Sequence, residues 1–376
     1  MRHPMRLAFP LSVLLLTTLL TGCQSAAPKQ QAAALSEQTP ASRFVVRLWR
    51  SPGLFEKVRV ATLSGDALYL AGTPRGIEAI DTETGFPRWK QTGKYVVDAD
   101  VAVCGDTVVY SEGGRLVSRD RKSGAELVRV STRLGTISPV YPTENSWIFA
   151  AGNDQVLAVT PGSGLKAGHV TMDAAALSST WDGGDLAYFL TTKGTLCAVS
   201  ISTRSQAWTY TFRKPFCSPP VVAGAYLFVG CQDFYLYALD AKSGVEQWRV
   251  SVSAPALDAP VSAHGRVYIR TVDGILHAIE IATQKELWTV PNGGHVLTAT
   301  KERVIWVNHD PAGSMLVIAD AATGNTLVTA TALHYKIFRA EPESGIFYAI
   351  SQEGEVVAVA DRSVAEAREA AKMAKP

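Results

Sequence analysis

A short segment that recurs along the chain constrains the fold more than any other feature of the sequence. It is best preserved from Ala238 to Trp248, where it reads ALDAKSGVEQW. Asp240 can accept hydrogen bonds from backbone N–H groups two or three residues later, and Gly244 can supply the positive φ that closes a tight turn. The segment therefore predicts a hairpin turn between two strands, with a tryptophan in the second strand.

Eight copies of this turn follow one another at a nearly constant interval. Their first residues are separated by 39, 40, 40, 40, 40, 40 and 41 residues, and a strand-rich repeat of about 40 residues is typical of one β-propeller blade. We therefore predict an all-β fold, an eight-bladed β-propeller of four-stranded antiparallel blades over residues 43–361. The turns begin at Asp81, Asp120, Thr160, Ser200, Asp240, Glu280, Asp320 and Asp361.

The two ends of the repeat array predict how the ring closes. In the best preserved repeat the strands are predicted at 220–223, 226–230, 235–239 and 245–250, but the last repeat has no sequence for its fourth strand. The segment FVVRLW at residues 44–49 has the pattern of that strand, with Trp49 in register with the other repeats. We expect residues 43–50 to complete the eighth blade, which removes open sheet edges.

Tryptophans recur eight residues after the first residue of the turn. A buried indole removes about 150–250 Å² from water, which contributes several kcal/mol at about 25 cal/mol per Å². We interpret these residues as structural wedges between blades, not as ligand-binding groups. The wedge residues are Trp49, Trp89, Trp208, Trp248 and Trp288. Other residues take this position at Val128, Gly168 and Val328, whereas Trp147, Trp181 and Trp306 lie outside the register.

Residues 1–22 have the pattern of a lipoprotein signal peptide. Arg2 and Arg6 precede an apolar run that is shorter than the ~20 residues of a membrane-spanning helix. The run ends in LTGC, which resembles a bacterial lipobox and implies that Cys23 is lipidated; an ordinary signal peptide is the alternative. Lipoproteins held at the inner membrane usually carry aspartate directly after the lipidated cysteine. Gln24 stands there in this chain, so the resemblance points to the outer membrane, with the protein facing the periplasm.

The segments that flank the propeller have different compositions. Residues 23–42 are rich in Ala, Gln, Ser and Pro and predict a flexible tether after the lipidated cysteine. Residues 362–376 are rich in Ala, Glu, Arg and Lys and predict a short helical or disordered tail. The formal net charge of +2 gives no reason to expect a nucleic-acid partner.

The cysteines allow one disulfide. Cys217 and Cys231 flank a predicted hairpin and face each other on adjacent strands, so they form either a disulfide or two buried thiols. Cys104 and Cys197 belong to different repeats and are interpreted as small core residues. The spacing of Cys and His residues predicts no metal site, and no catalytic motif is found.

The repeated turn and its tryptophan resemble the repeat of the pyrroloquinoline quinone (PQQ) dehydrogenase propellers, whose consensus is close to A-x-D-x-x-T-G-x-x-x-W. With its lipobox, its length and its eight repeats, the chain as a whole resembles the BamB family of lipoproteins. The resemblance implies a non-enzymatic scaffold without a cofactor, a monomeric propeller that contacts a BamA-like protein and assists insertion of β-barrel proteins into the outer membrane. The matching segments are Ala79–Trp89, Ala198–Trp208, Ala238–Trp248 and Ala278–Trp288.

The family's partner-binding residues do not transfer to this chain. The corresponding stretches, 169–178 and 213–218, read HVTMDAAALS and RKPFCS and lack the family's leucine–arginine loop and paired aspartates. Two alternatives remain: a propeller that binds another periplasmic partner or ligand, and a PQQ-dependent oxidoreductase. The second is disfavoured because the chain has no adjacent cysteine pair and lacks the long insertions of those enzymes.

The connections from each outer strand to the next inner strand are predicted to lie at one rim of the channel. Aromatic and charged residues in these connections could bind a protein strand or peptide, or could be ordinary solvated loop. The candidate residues are Tyr95, Asp98, Asp100, Lys214, Phe216, His295, His334, Tyr335 and Lys336.

Overall fold

The computed structural model describes residues 40–373, except 98–99, 132–138, 144–145, 152–153, 162, 164, 257, 311–312 and 333, and except the side chains of residues 151 and 310. The predicted signal peptide, Cys23 and residues 24–39 of the predicted tether lie outside these residues. Within the described part, a 3-10 helix at Pro40–Arg43 is followed by strand β1 at Val45–Ser51.

The next 16 strands form four sheets, each built from four consecutive strands. Blade 1 contains β2 (Lys57–Ser64), β3 (Ala67–Thr73), β4 (Gly76–Asp81) and β5 (Pro87–Thr92). Blade 2 contains β6 (Ala102–Cys104), β7 (Thr107–Glu112), β8 (Arg115–Asp120) and β9 (Glu126–Ser131). Blade 3 contains β10 (Tyr141–Pro142), β11 (Trp147–Ala151), β12 (Gln155–Val159) and β13 (Lys166–Thr171). Blade 4 contains β14 (Ala176–Trp181), β15 (Leu186–Thr191), β16 (Thr195–Ser200) and β17 (Ser205–Thr211).

The remaining strands form three further sheets of the same kind and most of a fourth. Blade 5 contains β18 (Val221–Ala223), β19 (Tyr226–Gly230), β20 (Tyr235–Asp240) and β21 (Glu246–Ser251). Blade 6 contains β22 (Val261–Ala263), β23 (Arg266–Arg270), β24 (Leu276–Glu280) and β25 (Lys285–Val290). Blade 7 contains β26 (His295–Ala299), β27 (Arg303–Asp310), β28 (Gly313–Asp320) and β29 (Thr326–Thr331). Blade 8 contains β30 (Tyr335–Ala340), β31 (Ile346–Ser351) and β32 (Val356–Asp361).

The eight sheets surround a central channel. The first strands of neighbouring blades contact each other, as β2 contacts β30 and β26 contacts both β22 and β30. The first strand of each blade is therefore the inner one and the fourth strand lies at the periphery. This arrangement confirms the predicted eight-bladed β-propeller, and the strands of blade 5 lie within one residue of their predicted ends.

The N-terminal strand closes the ring as predicted. Strand β1 pairs antiparallel with β32, from Val45 opposite Asp361 to Ser51 opposite Val356, with a register shift between Arg47 and Trp49. Blade 8 therefore has four strands in the order β1-β32-β31-β30. The ring is therefore closed by pairing of the first and last strands, and closure requires both of them.

In the five repeats whose turn begins with aspartate, the aspartate side chain holds the turn. In blade 5, Asp240 Oδ1 accepts hydrogen bonds from the backbone N–H and the hydroxyl of Ser243, at 2.8 and 2.7 Å. Gly244 N–H donates to the Asp240 carbonyl at 2.8 Å, and its φ is +71°. Hydrogen bonds from Ser243 lower the pKa of Asp240, so the charged carboxylate stabilises the turn.

The tryptophan of one blade packs on the turn of the next. Trp208 of blade 4 donates its indole N–H to the Ala241 carbonyl of blade 5 at 3.2 Å. A Cβ built on Gly244 would lie 2.4 Å from the same indole. Trp49, Trp89 and Trp288 make the equivalent hydrogen bond to Thr82, Arg121 and Ala321, at 3.0, 2.9 and 3.1 Å. The wedge is thus an indole seated on a glycine turn.

Four blade junctions depart from this arrangement, since Val128, Gly168 and Val328 replace the tryptophan at three of them and Trp248 lacks the hydrogen bond at the fourth. Trp248 is buried but its Nε1 has no hydrogen-bond partner, and the facing turn carries Gln284 at φ +60° in place of glycine. At the junction of blades 3 and 4, Gly168 replaces the tryptophan and lies against the side chain of Arg204. Arg204 takes the glycine position of the facing turn, with φ +56°. A large side chain therefore fills the junction from the other side.

The tryptophans outside the repeat register are also structural. Trp147 and Trp306 are buried. Trp181 is half-buried and donates its indole N–H to the Gly184 carbonyl at 2.9 Å. None of the three is a fully exposed aromatic side chain that could serve as a binding platform.

The junction of blades 7 and 8 contains a buried ion pair. Arg303 donates from Nε and from the terminal nitrogen to the two Asp361 carboxylate oxygens, at 2.5 and 2.7 Å. Asp361 is fully buried and also accepts from the N–H of Ser363 in helix α1 (Arg362–Met373). Burial alone would raise the pKa of Asp361, but the hydrogen bonds from Arg303 and Ser363 outweigh it and lower the pKa.

The wedge predicts a difference between two glycines of blade 5. Gly244 and Gly224 both have positive φ, +71° and +60°, but a Cβ on Gly224 would meet nothing within 4 Å. Gly224→Ala should cost about 1–2 kcal/mol from the left-handed backbone alone. Gly244→Ala should cost a further ~1–3 kcal/mol because it displaces Trp208. Equal losses of unfolding free energy, measured by chemical denaturation, would contradict the wedge.

The buried ion pair predicts a second difference. Asp361→Ala should lower the free energy of unfolding by about 3–5 kcal/mol, because it leaves the Arg303 charge uncompensated. Glu302→Ala is the control, since Glu302 also pairs with Arg303 but its side chain is 73% exposed; its loss should be below about 1 kcal/mol. Because the folded-state pKa of Asp361 is lowered, its contribution should diminish as the pH falls below about 3.9.

Candidate binding rim and channel mouth

The two faces of the ring carry different connections. Because strands alternate in direction, the connections between blades and the turns between second and third strands lie on one face, which we call the crossing face. The opposite face carries the Asp–Gly turns and the turns between first and second strands, and we call it the turn face. All predicted rim residues that the structure describes belong to inter-blade connections or to the starts of the inner strands.

Two rim candidates near blade 2 are engaged in the fold. Tyr95 is half-buried, its N–H donates to Glu112 Oε1 at 3.0 Å, and its ring lies 4.7 Å from the Arg115 guanidinium. Asp100 is exposed and accepts from Thr62 Oγ1 at 3.1 Å. Asp98, also predicted for the rim, lies outside the described residues. These contacts hold the connection between blades 1 and 2.

The structure corrects one rim prediction in blade 8. Tyr335 is buried and its hydroxyl donates to Glu355 Oε1 at 2.7 Å, so it belongs to the core and not to an exposed rim. His334 remains half exposed and lies 3.9 Å from a Glu353 carboxylate oxygen. Strand alternation turns neighbouring side chains to opposite sides, which places Tyr335 inward.

Four of the five exposed large apolar side chains that the structure describes on the crossing face lie on blades 4, 5 and 6, and the fifth, Leu54, lies in the connection between blades 8 and 1. Phe216 is 57% exposed, and its carbonyl accepts from the Gln232 N–H in the neighbouring turn at 2.9 Å. Lys214, in the same connection, is exposed. Sequence reasoning missed the other members, because single apolar residues in turns carry no periodic signal. We call the exposed set the apolar patch; it consists of Leu177, Phe216, Phe234 and Val272.

A cavity of about 290 Å³ lies at the crossing-face mouth of the channel, between blades 7, 8 and 1. His295 and Lys336, both predicted for the rim, contribute to its lining. Sequence reasoning missed the other basic residues, since they come from three different blades. The basic side chains that line the cavity are Arg59, His295, His309, Lys336 and Arg339.

The protein environment disfavours protonation of both histidines in this cavity. Reduced hydration within the cavity lowers the pKa of His295, and the positive charges of His309, Arg339 and Arg270 lower it further against the opposing effect of Asp258. Reduced hydration and the Lys336 charge lower the pKa of His309. Both side chains remain partly exposed, so these shifts are limited by solvent. At neutral pH the cavity therefore carries the charges of its arginines and lysine, with both imidazoles predominantly neutral.

The cysteine pair lies beside the apolar patch. Cys217 and Cys231 are buried, form an isolated antiparallel bridge, and are joined by a disulfide in the structure. Cys197 is buried in the core, and burial raises the pKa of its thiol to about 11. Cys104 is half-buried. The disulfide links the connection that carries Phe216 to the following hairpin.

A buried histidine in blade 6 has the partners of a nucleophile–base–acid arrangement. His277 Nε2 lies 3.0 Å from Ser253 Oγ, and its Nδ1 lies 2.5 Å from Glu286 Oε1. Ser253 Oγ also lies 3.2 Å from Thr271 Oγ1, in the turn between the second and third strands. The residues do not line the channel-mouth cavity, and the network joins an inter-blade connection to that turn.

Two kinds of site are absent from the described part of the chain. No helix there is long and apolar enough to span a membrane. No group of three or more His, Cys, Asp or Glu side chains there could hold a metal ion.

The fold and the repeat together define the class of protein, an eight-bladed β-propeller built from PQQ-like repeats. A model of the family described as outer membrane protein assembly factor BamB matches residues 75–218, 152–261 and 218–374. Because these matches cover most of the chain, the protein belongs to the BamB family. No curated protein matches the sequence.

Two solved structures show the same fold. BamB from Moraxella catarrhalis is 15% identical, with a TM-score of 0.68, and the match covers 85% of this chain and 98% of that one. The computationally designed Ika8 protein is 14% identical, with a TM-score of 0.65, and the match covers 83% of this chain and 98% of that one. At such identities the similarity concerns the fold, and a designed protein shares it.

We predict that the disulfide persists in protein isolated without reductant. A peptide containing both Cys217 and Cys231 should be linked until reduction, as measured by mass spectrometry. Replacing both cysteines with serine should lower the free energy of unfolding by about 3 kcal/mol, because the bond closes a short loop, with a sequence separation of 14. Cys104→Ser is the control, with little loss expected. Alkylation of both residues without reductant would exclude the bond.

Proposed function

We propose that this protein is a non-enzymatic lipoprotein scaffold of the cell envelope. Cys23 anchors it by lipid to the outer membrane, residues 24–39 act as a tether, and the propeller faces the periplasm. The predicted tether is shortened because residues 40–42 belong to the 3-10 helix and Ala41 is buried. There it contacts a BamA-like protein and assists the assembly and insertion of β-barrel proteins. The family membership and the lipobox-like sequence support this proposal.

The observation that carries the proposal is the apolar patch on the crossing face. Leu177, Phe216, Phe234 and Val272 lie on three consecutive blades. On the turn-face side, the exposed large apolar side chains that the structure describes occur one per blade, at Phe86, Leu127, Leu165, Val245, Leu287 and Leu327. On the crossing face, by contrast, the connection that carries Phe216 is hydrogen-bonded to the turn that carries Phe234. Grouped apolar side chains mark protein-binding surfaces more strongly than scattered ones.

The position of the patch also agrees with family membership. Leu177 and Phe216 fall in residues 169–178 and 213–218, the stretches that correspond to the partner-binding segments of the family. The family's own residues are absent there, so this chain would use different side chains at the same place. Lys214 beside the patch adds positive charge at its edge, as expected for a polar rim around an apolar centre.

The alternative oxidoreductase function has no comparable support. PQQ-dependent enzymes hold the quinone with a Ca²⁺ that needs carboxylate and amide ligands. The channel-mouth cavity is lined by basic and apolar side chains and contains no such ligand among its lining residues. The residues that line this cavity do not fit a Ca²⁺-bound quinone.

The test compares two residues of blade 5 with the same exposure. Phe216 and Val245 are each 57% exposed, but Phe216 lies on the crossing face and Val245 on the turn face. With a photo-cross-linking amino acid in the native envelope, position 216 should capture a BamA-like protein and position 245 should not. Phe216→Glu should reduce co-purification of that partner about tenfold or more, because it places a charge in an apolar contact.

The control is the matching substitution on the turn face. Val245→Glu adds the same charge on the other face and should leave co-purification unchanged. Equal loss in both variants, or no effect in either, would contradict the assigned surface. Capture of a different periplasmic protein at position 216 would retain the surface but replace the BamA-like partner by the alternative function.

A further inference from the structure

The cavity at the channel mouth concentrates positive charge in a protein whose formal net charge is only +2. Three cationic side chains, Arg59, Lys336 and Arg339, and two histidines line a space of about 290 Å³, and no acidic side chain is among the described residues that line it. Like charges held together repel one another unless a counter-charge is present. The arrangement therefore has an electrostatic cost that the fold of blades 7, 8 and 1 does not explain.

We propose that this cavity binds a small polyvalent oxyanion, a compound that carries several phosphate or carboxylate groups. The guanidinium groups and the lysine ammonium group would donate hydrogen bonds to the anion oxygens, and such charge-assisted bonds are stronger than neutral ones. The site lies on blades 7, 8 and 1, apart from the apolar patch on blades 4–6. It is therefore independent of the proposed partner surface.

The cations are arranged for binding and not for mutual pairing. Arg339 is oriented by bonds from Nε to the Ala61 carbonyl at 2.5 Å and from a terminal nitrogen to the Phe338 carbonyl at 2.9 Å. These bonds to neutral carbonyls fix the guanidinium and leave its charge uncompensated. Arg59 and Lys336 are exposed to the cavity. A fixed arginine between two adjustable cations can adapt to anions of different shape.

The walls of the cavity set the size of the ligand. Leu297, Val307 and Phe338 contribute apolar surface behind the basic groups. The His309 ring lies 5.8 Å from the Phe338 ring, and His309 Nδ1 lies 3.0 Å from Ser314 Oγ, so one nitrogen is already occupied. A volume near the lower end of ligand pockets, about 300 Å³, fits a compact metabolite-sized anion rather than a polymer.

The histidines make binding depend on pH. In the free protein reduced hydration and neighbouring cations lower the pKa of both His295 and His309. A bound anion favours the charged imidazolium and raises these pKa values, so binding takes up protons. The contribution of the histidines to affinity should therefore increase as the pH falls from about 8 to about 6, whereas protonation of the anion itself acts in the opposite direction. The groups acting on the histidines are Asp258, Arg270, Lys336, Arg339 and the histidines themselves.

The experiment measures binding of pyrophosphate and of citrate to the purified full-length protein by titration calorimetry at low ionic strength. Both anions should bind at one saturable site, and binding should take up protons, which appears as a dependence of the measured heat on the ionisation enthalpy of the buffer. The variant with Arg59→Gln and Lys336→Gln should bind at least about tenfold more weakly for each cation removed. The control with Lys242→Gln and Lys301→Gln removes two exposed turn-face charges and should bind as the wild type does.

A third arm separates a free anion from a lipid headgroup. Vesicles of phosphatidylglycerol, compared with phosphatidylcholine, should not bind through Arg59 and Lys336 when the site takes a free anion. Absence of saturable binding of both anions would overturn the proposal. Equal weakening in the variant with Arg59→Gln and Lys336→Gln (the channel variant) and in the variant with Lys242→Gln and Lys301→Gln would also overturn it. Loss of vesicle binding in the channel variant, without binding of the free anions, would replace it with a lipid-surface site. Unchanged thermal unfolding of the channel variant verifies that it is folded.

Discussion

The structure depends on one contact between neighbouring blades, an indole seated on a glycine turn. The glycine brings the backbone close enough for the ring to lie on it, and the adjacent carbonyl accepts the indole N–H, as Trp208 shows with Gly244 and Ala241. A side chain on the glycine would occupy the space of the ring. The apolar burial and the hydrogen bond therefore require the same backbone conformation, which the turn aspartate stabilises.

This contact is a requirement on volume and not on one residue type. Where Gly168 replaces the tryptophan, the facing turn places Arg204 in the glycine position and its side chain packs against Gly168. Where Gln284 replaces the turn glycine, Trp248 is kept but loses the hydrogen bond to the turn. A junction tolerates either partner being changed when the other fills the space, at the cost of a less regular turn.

The parts of the structure that could be predicted are those fixed by local chemistry repeated many times. The turns, the blade number and closure by residues near Trp49 follow from the period and register of the repeat. A wrong period or register would conflict with the sequence of every copy of the repeat. The rim could not be predicted at the same level. Tyr335, which the sequence places at the surface, is buried. The cavity is lined by Arg59, His309 and Arg339 from three blades, and no local pattern brings these residues together.

The distribution of constraints accounts for where function can reside. The turn face carries the aspartate turns, the glycines and the indoles, so most of its residues are committed to holding blades together. The crossing face carries connections of variable length and sequence that contact neighbouring turns, as Phe216 does with Gln232. Substitutions there change surface chemistry without opening a blade junction. One ring can therefore hold an apolar patch on blades 4–6 and a cationic cavity on blades 7, 8 and 1, and change either independently.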